Sequence, residues 1–388
     1  MVLLPTLGTK TASGEPLPLA LHRSAMFDTH VLFGVLVGGA GQRLALTQSE
    51  QDTHAFFRVQ TRLVHLVRKN LEQNTITDGL LFAILALSIK RNDYAASLPV
   101  EDRYAGGFKS PVRNVGGLNW LGGIELAAEH IGMLTTLIRT RLLASQPIGP
   151  GLCEYMQIAD LLRASLTLSR PELELSKSYL SILNNEAQTI RPPQEEAAAF
   201  NVDDSLKDIL LDMKLICRLI EKFSGSIQFD SHTSKFVQYR DLIQYRLLSL
   251  SRGRDEICRL ATMIFNYGVI FTIPDPRPIQ ALAKELHWLM LDSEFTAREN
   301  KEFLLWAAFI GGIAATGGAF PNVFITLVAQ HATALRLSDW SAVVRVLERF
   351  LWLDLACGDS ARDLWVAAVK DMNPSRYAEN ESGLLFVL

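Results

Sequence analysis

Residues 203–223, DDSLKDILLDMKLICRLIEKF, place Leu206, Ile209, Leu210, Met213, Ile216, Leu219, Ile220 and Phe223 at steps of three and four. At 3.6 residues per turn these side chains form one broad apolar stripe, with Lys207, Asp208, Asp212, Lys214 and Glu221 mostly outside it. Such a helix is stable only when the stripe is covered by other helices. The same period runs through SDWSAVVRVLERFLWLD, residues 338–354. There Ser338 is the expected N-cap, Asp339 falls in the first turn, and Trp340, Val343, Val344, Leu347, Phe350 and Leu351 form the buried face.

Working outward, helices are predicted over 54–73, 78–91, 153–168, 236–250, 255–267, 278–291, 299–315, 321–335 and 361–371. Pro278 and Pro321 fit first-turn positions, where the missing N–H is no loss. Period-two alternation is confined to SIQFDSH (226–232) and VIFTI (269–273). The predicted class is all-α: a large multi-helix domain of packed antiparallel helix pairs. Breaks rich in Gly and Pro fall at 95–119, 145–151, 184–203 and 273–278, none long or polar enough to be a tether.

The chain has 388 residues, 38 Lys+Arg against 41 Asp+Glu, 48% hydrophobic and 20% charged residues. That apolar share excludes global disorder, and a net charge of −3 argues against a bulk electrostatic nucleic-acid binder. No secretory signal is read from the N-terminus, because a basic n-region is missing and Pro5 interrupts the apolar start. Residues 303–335 lack Asp, Glu, Lys and Arg, yet Gly311, Gly312, Gly317, Gly318 and Pro321 divide them. Two buried helices joined by a Gly-Pro turn fit better than one membrane span.

Candidate chemistry is sparse. Cys153, Cys217, Cys258 and Cys357 are too far apart for shared zinc ligation and read as buried, reduced thiols. Gly38, Gly39 and Gly41 in VLVGGAGQR (35–43) match neither phosphate-binding fingerprint and suggest a helix C-cap or turn. The eight histidines show no H-E-x-x-H, and there is no G-x-S-x-G. Arg240, Arg246, Arg252 and Arg254, interleaved with Asp241, Asp255 and Glu256, read as a solvated helix face, with a nuclear-import or acidic-partner patch as the alternative. Asp203, Asp204 and Asp208 admit two readings. One is an acidic helix start favoured by the macrodipole. The other is a Mg²⁺ site, since the trio resembles the metal-binding aspartates of class I terpene synthases. That family's usual third position is Lys207 here, and its second triad lacks a correctly spaced match.

The most specific signals are larger. EFLLWAAFIGGIAA (302–315), followed by W-x₆-L-x₂-F-L-W-L-D from Trp340 to Asp354 and by Leu364-Trp365-Val366, resembles the C-terminal half of the fungal-specific transcription factor regulatory domain. FKSPVRNVGGLNWLG (108–122) resembles that family's F-K-S-P-x-R segment. HIGMLTTLI (130–138), with Met133 in place of the usual Leu, resembles its H-x-x-G-L-x-x-L-V helix, which makes His130 the one histidine of interest. Residues 56–89 resemble its early helix pair. The resemblance implies an N-terminal extension with a first helix over 1–49, a helical regulatory domain over 50–372 and a loose tail over 373–388. It implies a nuclear protein of transcription regulation, connected with secondary metabolism, that binds a small-molecule effector, a protein coregulator or a second copy of itself. The family's six-cysteine zinc cluster has no counterpart in C-x₂-C-x₆-C form, so direct sequence-specific DNA binding is not expected. Nor are catalytic residues, metal ligands, cofactors or a membrane. The rival expectation is an all-α, Mg²⁺-dependent enzyme of secondary metabolism using the three aspartates.

Overall fold

The computed structural model describes residues 15–47, 49–73, 76–99, 101–104, 106–146, 148–149, 151–175, 192–223, 233–292, 296, 299–317 and 321–372. Among these, sixteen α-helices and one two-stranded sheet make the chain all-α. The tail after 372 and the SIQFDSH segment lie outside the described residues.

The first core gathers α1 (Leu17–Phe27), α2 (Thr29–Thr47), α3 (Glu50–Glu72), α4 (Asp78–Leu87), α7 (Ala128–Leu143) and α8 (Leu152–Thr167), with the short α5 (Asp93–Ser97) and α6 (Leu118–Leu121) on its flank. Residues 17–47 are more than an extension with one helix. They form two, and Val31, Val35, Val37 and Leu44 are buried in the same cluster as Phe56, Leu63 and Leu81. The boundary expected at 50 therefore cuts through a core. Ser49 caps α3 by accepting from the Asp52 N–H at 3.1 Å, and Thr77 caps α4 by accepting from Leu80.

Gly38, Gly39 and Gly41 lie inside α2 rather than at its end, which corrects the C-cap reading. Their helix is apolar on nearly every face and is pressed against α3 and α4. At Gly34 a Cβ would stand 2.7 Å from the Phe82 ring, and at Gly41 3.1 Å from Ile89 Cγ2. The missing side chains let the backbones approach closely, which offsets the roughly 1 kcal/mol helix cost of glycine.

The helix predicted over 78–91 stops at Leu87. There the Ser88 hydroxyl donates to the Leu85 carbonyl, and Ile89–Arg91 (β1) turns out to pair antiparallel with Ile124–Leu126 (β2). Ile89 faces Leu126 and Arg91 faces Ile124.

The second core contains α9 (Asp204–Phe223), α10 (Thr233–Ser249), α11 (Glu256–Phe265), α12 (Pro276–Leu291), α13 (Lys301–Ala315), α14 (Pro321–Ala334), α15 (Trp340–Leu347) and α16 (Asp354–Met372). The charge-free stretch 303–335 forms α13 and α14, packed on one another, and no described helix is long and apolar enough to cross a membrane. At Gly311 a Cβ would stand 2.3 Å from the Phe324 ring, so this pair too closes through glycine. Two start signals shift from the expected residue. Asp339, not Ser338, caps α15 by accepting from the Ala342 N–H at 2.9 Å, and Pro276 rather than Pro278 opens α12 behind its cap Asp275.

The two cores share α8, whose Tyr155 and Ile158 belong to the first and Leu161 and Ala164 to the second. VIFTI is no strand. Residues Asn266–Ile270 form a π-helical turn, in which the Phe271 N–H reaches the Asn266 carbonyl at 2.7 Å.

Candidate functional site

An open concavity of about 670 Å³ lies at one end of the second core. Its wall is a 3₁₀ turn, Gln194–Phe200, with the middle of α9, the start of α13 and the residues after α15. Pro192 and Pro193 stiffen the entry to that turn. Asn201 ends it at φ +48°, and Asp203 then starts α9 by accepting from the Leu206 N–H at 2.9 Å. Asn300 caps α13 by accepting from Glu302.

The floor is aromatic. Phe200 packs edge-on against both Trp306 (5.5 Å between centroids) and Phe350 (5.2 Å), Phe303 joins them, and the Trp306 indole donates to the Leu351 carbonyl at 2.8 Å. Such contacts add about 0.5–1.5 kcal/mol per pair beyond area burial. Phe303 and Trp306 come from the E-F-L-L-W stretch, Phe350 and Leu351 from F-L-W-L-D. The two most distinctive sequence segments therefore meet beneath the pocket.

Charges line its sides. Lys214 is half-buried, its Nζ 5.9 Å from the Phe200 ring centroid and donating to the Arg349 carbonyl at 3.1 Å. Burial holds its ammonium below the usual lysine range, against the pull of Glu196. Glu196 is itself engaged by Arg218 at 2.5 Å, and Arg349 is paired with Glu302. Glu299 is half-buried, and burial together with the negative charge of Asp255 raises its carboxyl. Neither Lys214 nor Glu299 has an ion-pair partner among the described residues.

No family model, curated protein or solved structure matches the chain.

The sequence-derived candidates are dispersed. Asp203 and Asp204 are exposed, and Asp203 is occupied as a helix cap while its own N–H donates to Asp255 at 2.9 Å. The adjacent pocket that Asp203 lines, about 340 Å³, also carries Arg254, Arg259, Asp255 and Glu256. It is a charged surface depression, not the mouth of a deep apolar cavity. Among the described residues no three His, Cys, Asp or Glu side chains are grouped to hold a metal.

His130 sits at the start of α7, where Nδ1 meets the Leu87 carbonyl at 3.1 Å, tying α7 to the end of α4. Burial pushes the Cys153 thiol up to about 11 and that of Cys217 to about 12, and raises Cys258 and Cys357 as well. These thiols stay protonated and are poor nucleophiles near neutrality.

The arginine patch is not a solvated face. Arg240 is fully buried, gripping Asp241 through Nε (3.0 Å) and Nη2 (2.9 Å) and donating from Nη1 to the Val115 carbonyl. Arg246 pairs with buried Asp212 at 2.6 Å, and only Arg252 and Arg254 stand outside. One turn along α10, Gln244 donates to Ser165 Oγ and to Tyr267 Oη, both at 2.9 Å, while accepting from Asn266 Nδ2 at 2.6 Å. A polar seam therefore runs between α8, α10 and the π turn.

The F-K-S-P-x-R stretch closes the seam. Ser110 donates to the Val269 carbonyl at 2.6 Å, the Lys109 N–H to that of Ala356 at 2.8 Å, and Phe108 fills the space above Gly268. The pocket residues Lys214 and Glu299 were missed by sequence reasoning, because both stand among ordinary polar positions of helix starts and faces. The Pro192-Pro193 break was the one available pointer.

Proposed function

We propose that the chain is a helical regulatory module of transcription-regulator type that acts by binding an effector or partner protein rather than by catalysis. The observation that carries this reading is the convergence of the resemblance-bearing segments. Phe303 lines, with Phe200, an open pocket of about 670 Å³, within the size range of small-ligand sites, and Trp306 and Phe350 pack against those two rings. The F-K-S-P-x-R segment meanwhile buckles α16 to the π turn. An effector seated there would bias the packing of the 194–200 turn against α9 and so the surface offered to a coregulator or to a second copy of the chain. Nuclear action and control of secondary-metabolism genes belong to the same proposal. The aspartates give the enzyme reading little support, since Asp203 is engaged as a helix cap beside arginines.

The test is a transcript comparison between wild-type cells and cells carrying a deletion of the gene, with reporters on the candidate targets. Changed output of a defined gene set, restored by the intact chain, supports the proposal. Unchanged transcription of every candidate target overturns it.

A further inference from the structure

Lys214 and Glu299 form an unusual pair of loose ends. Each is half-buried, each lines the same pocket, and neither forms an ion pair among the described residues, Glu196 acting on Lys214 and Arg254 on Glu299 only beyond ion-pair distance. An ionised group withdrawn from water without a counter-charge is costly. The other charges of the rim are either paired, as Glu196 with Arg218 and Arg349 with Glu302, or exposed, as Glu195 and Glu348. Lys214 cannot swing across to Glu299 without surrendering the Arg349 carbonyl and the Phe200 face. The cation and the anion therefore line one pocket together with Phe200 and Phe303 without pairing with each other.

We infer that this pocket binds a small zwitterion with an apolar side chain, of amino-acid or short-peptide kind. Its carboxylate takes the free N–H donors of Lys214, its ammonium is received by Glu299, and its side chain lies on Phe200 and Phe303. The inference rests on the reading of the chain as an effector-binding module and names the chemistry of that effector. A ligand with only one charge leaves either the lysine or the glutamate uncompensated. A neutral ligand leaves both.

The probes are L-phenylalanine and the dipeptide Phe-Phe, titrated calorimetrically into the full chain beside N-acetyl-phenylalanine and phenylalaninamide. Saturable binding of a free zwitterion is expected, with each blocked analogue weaker by about tenfold to hundredfold, the worth of a charge-assisted contact. Lys214→Met, which keeps the apolar stem, should abolish discrimination against the amide but not against the acetyl compound. Glu299→Gln should do the reverse. This crossed pattern does not arise from misfolding, and circular dichroism of both variants checks that they are folded. The tighter of the two probes assigns the source as a free amino acid or a peptide. Equal affinity for free and blocked forms, or no binding by the folded wild-type chain, overturns the inference. Transcript effects with no zwitterion binding would leave the regulatory proposal standing and remove only this site. Zwitterion binding with unchanged transcripts would do the opposite.

Discussion

The two cores differ in how they are filled and in what they leave outside. The first is chiefly aliphatic, with Leu80, Leu81, Ile84, Leu85 and Val37 around Phe82 and Tyr155. It still exposes Met26, Phe27, Phe57, Val64 and Leu143. The second is keyed by aromatic rings, Phe200, Phe303, Trp306, Phe309, Phe324 and Phe350, all fully buried, and it leaves fewer large apolar side chains on the surface. Aliphatic side chains tolerate sliding, whereas edge-to-face rings and an indole hydrogen bond demand one geometry. The pocket opens on the second core, where the geometry is fixed. Rigid surroundings are what a specific binding site needs.

That contrast can be broken most decisively at the seam. Arg240→Met should destabilise the chain by about 3–5 kcal/mol, because Asp241 is left buried without its guanidinium. Since α8 belongs to both cores, urea unfolding should stay a single transition at a lower midpoint. Two separated transitions would show the cores to be independent and the seam to be incidental.

Next in size is Trp306→Ala, expected to lose about 3–5 kcal/mol through the vacated volume and the orphaned Leu351 carbonyl. It should also abolish ligand binding at the pocket. The matched change in the first core, Leu81→Ala, should cost about 2–5 kcal/mol while leaving that binding intact, and a loss of binding in both would erase the distinction between them. Gly311→Ala should cost about 1–3 kcal/mol as the new methyl meets the Phe324 ring. Recovery in the double variant with Phe324→Leu, read from thermal midpoints, would sharpen the assignment.

The smallest effect is one of pH. Burial and Lys301 lower the folded-state pKa of His331, so the unfolded chain takes up its proton first as pH falls. Stability from this residue is complete above the unfolded value of about 6.5 and declines below it until the folded form also protonates. The thermal midpoint of wild type should therefore drop more between about pH 7 and about pH 5.5 than that of His331→Gln, by the equivalent of less than about 1 kcal/mol. A parallel pair of curves would reject the assignment.

Much of the helical plan is legible in the sequence, since an apolar stripe such as 206–223 has one stable use. What escaped reading was decided by partners distant along the chain. Ile89–Arg91 follows directly on the apolar run of α4 and becomes a strand only because Ile124–Leu126 is there to pair with it. Gly38, Gly39 and Gly41 look like helix breakers until α3 and α4 are pressed against them. Asp212 and Arg240 have the polarity of surface residues, and their burial depends on Arg246 and Asp241 arriving in register. The candidate site was illegible for the same reason. Lys214 and Glu299 are unremarkable charges in the sequence, and their lack of ion-pair partners among the described residues is a property of the folded pocket alone.

The π turn at 266–270 has a consequence for how the chain tolerates change. A helix advances about 100° per residue, so one residue inserted into a turn rotates everything beyond it by more than a quarter-circle. Asn266 and Tyr267 both meet Gln244, Tyr267 also reaches the Ser165 carbonyl, Gly268 lies against Phe108, and α12 begins only a few residues later. The turn works as a phase shifter, letting α11 and α12 both present their apolar sides to one core. Deleting a single residue here would straighten the segment into a regular helix and turn its downstream face away from the protein. The same deletion at the open turn around Gly253, where even an added side chain meets nothing, would be absorbed. Length is a constrained variable at one of these places and a free one at the other.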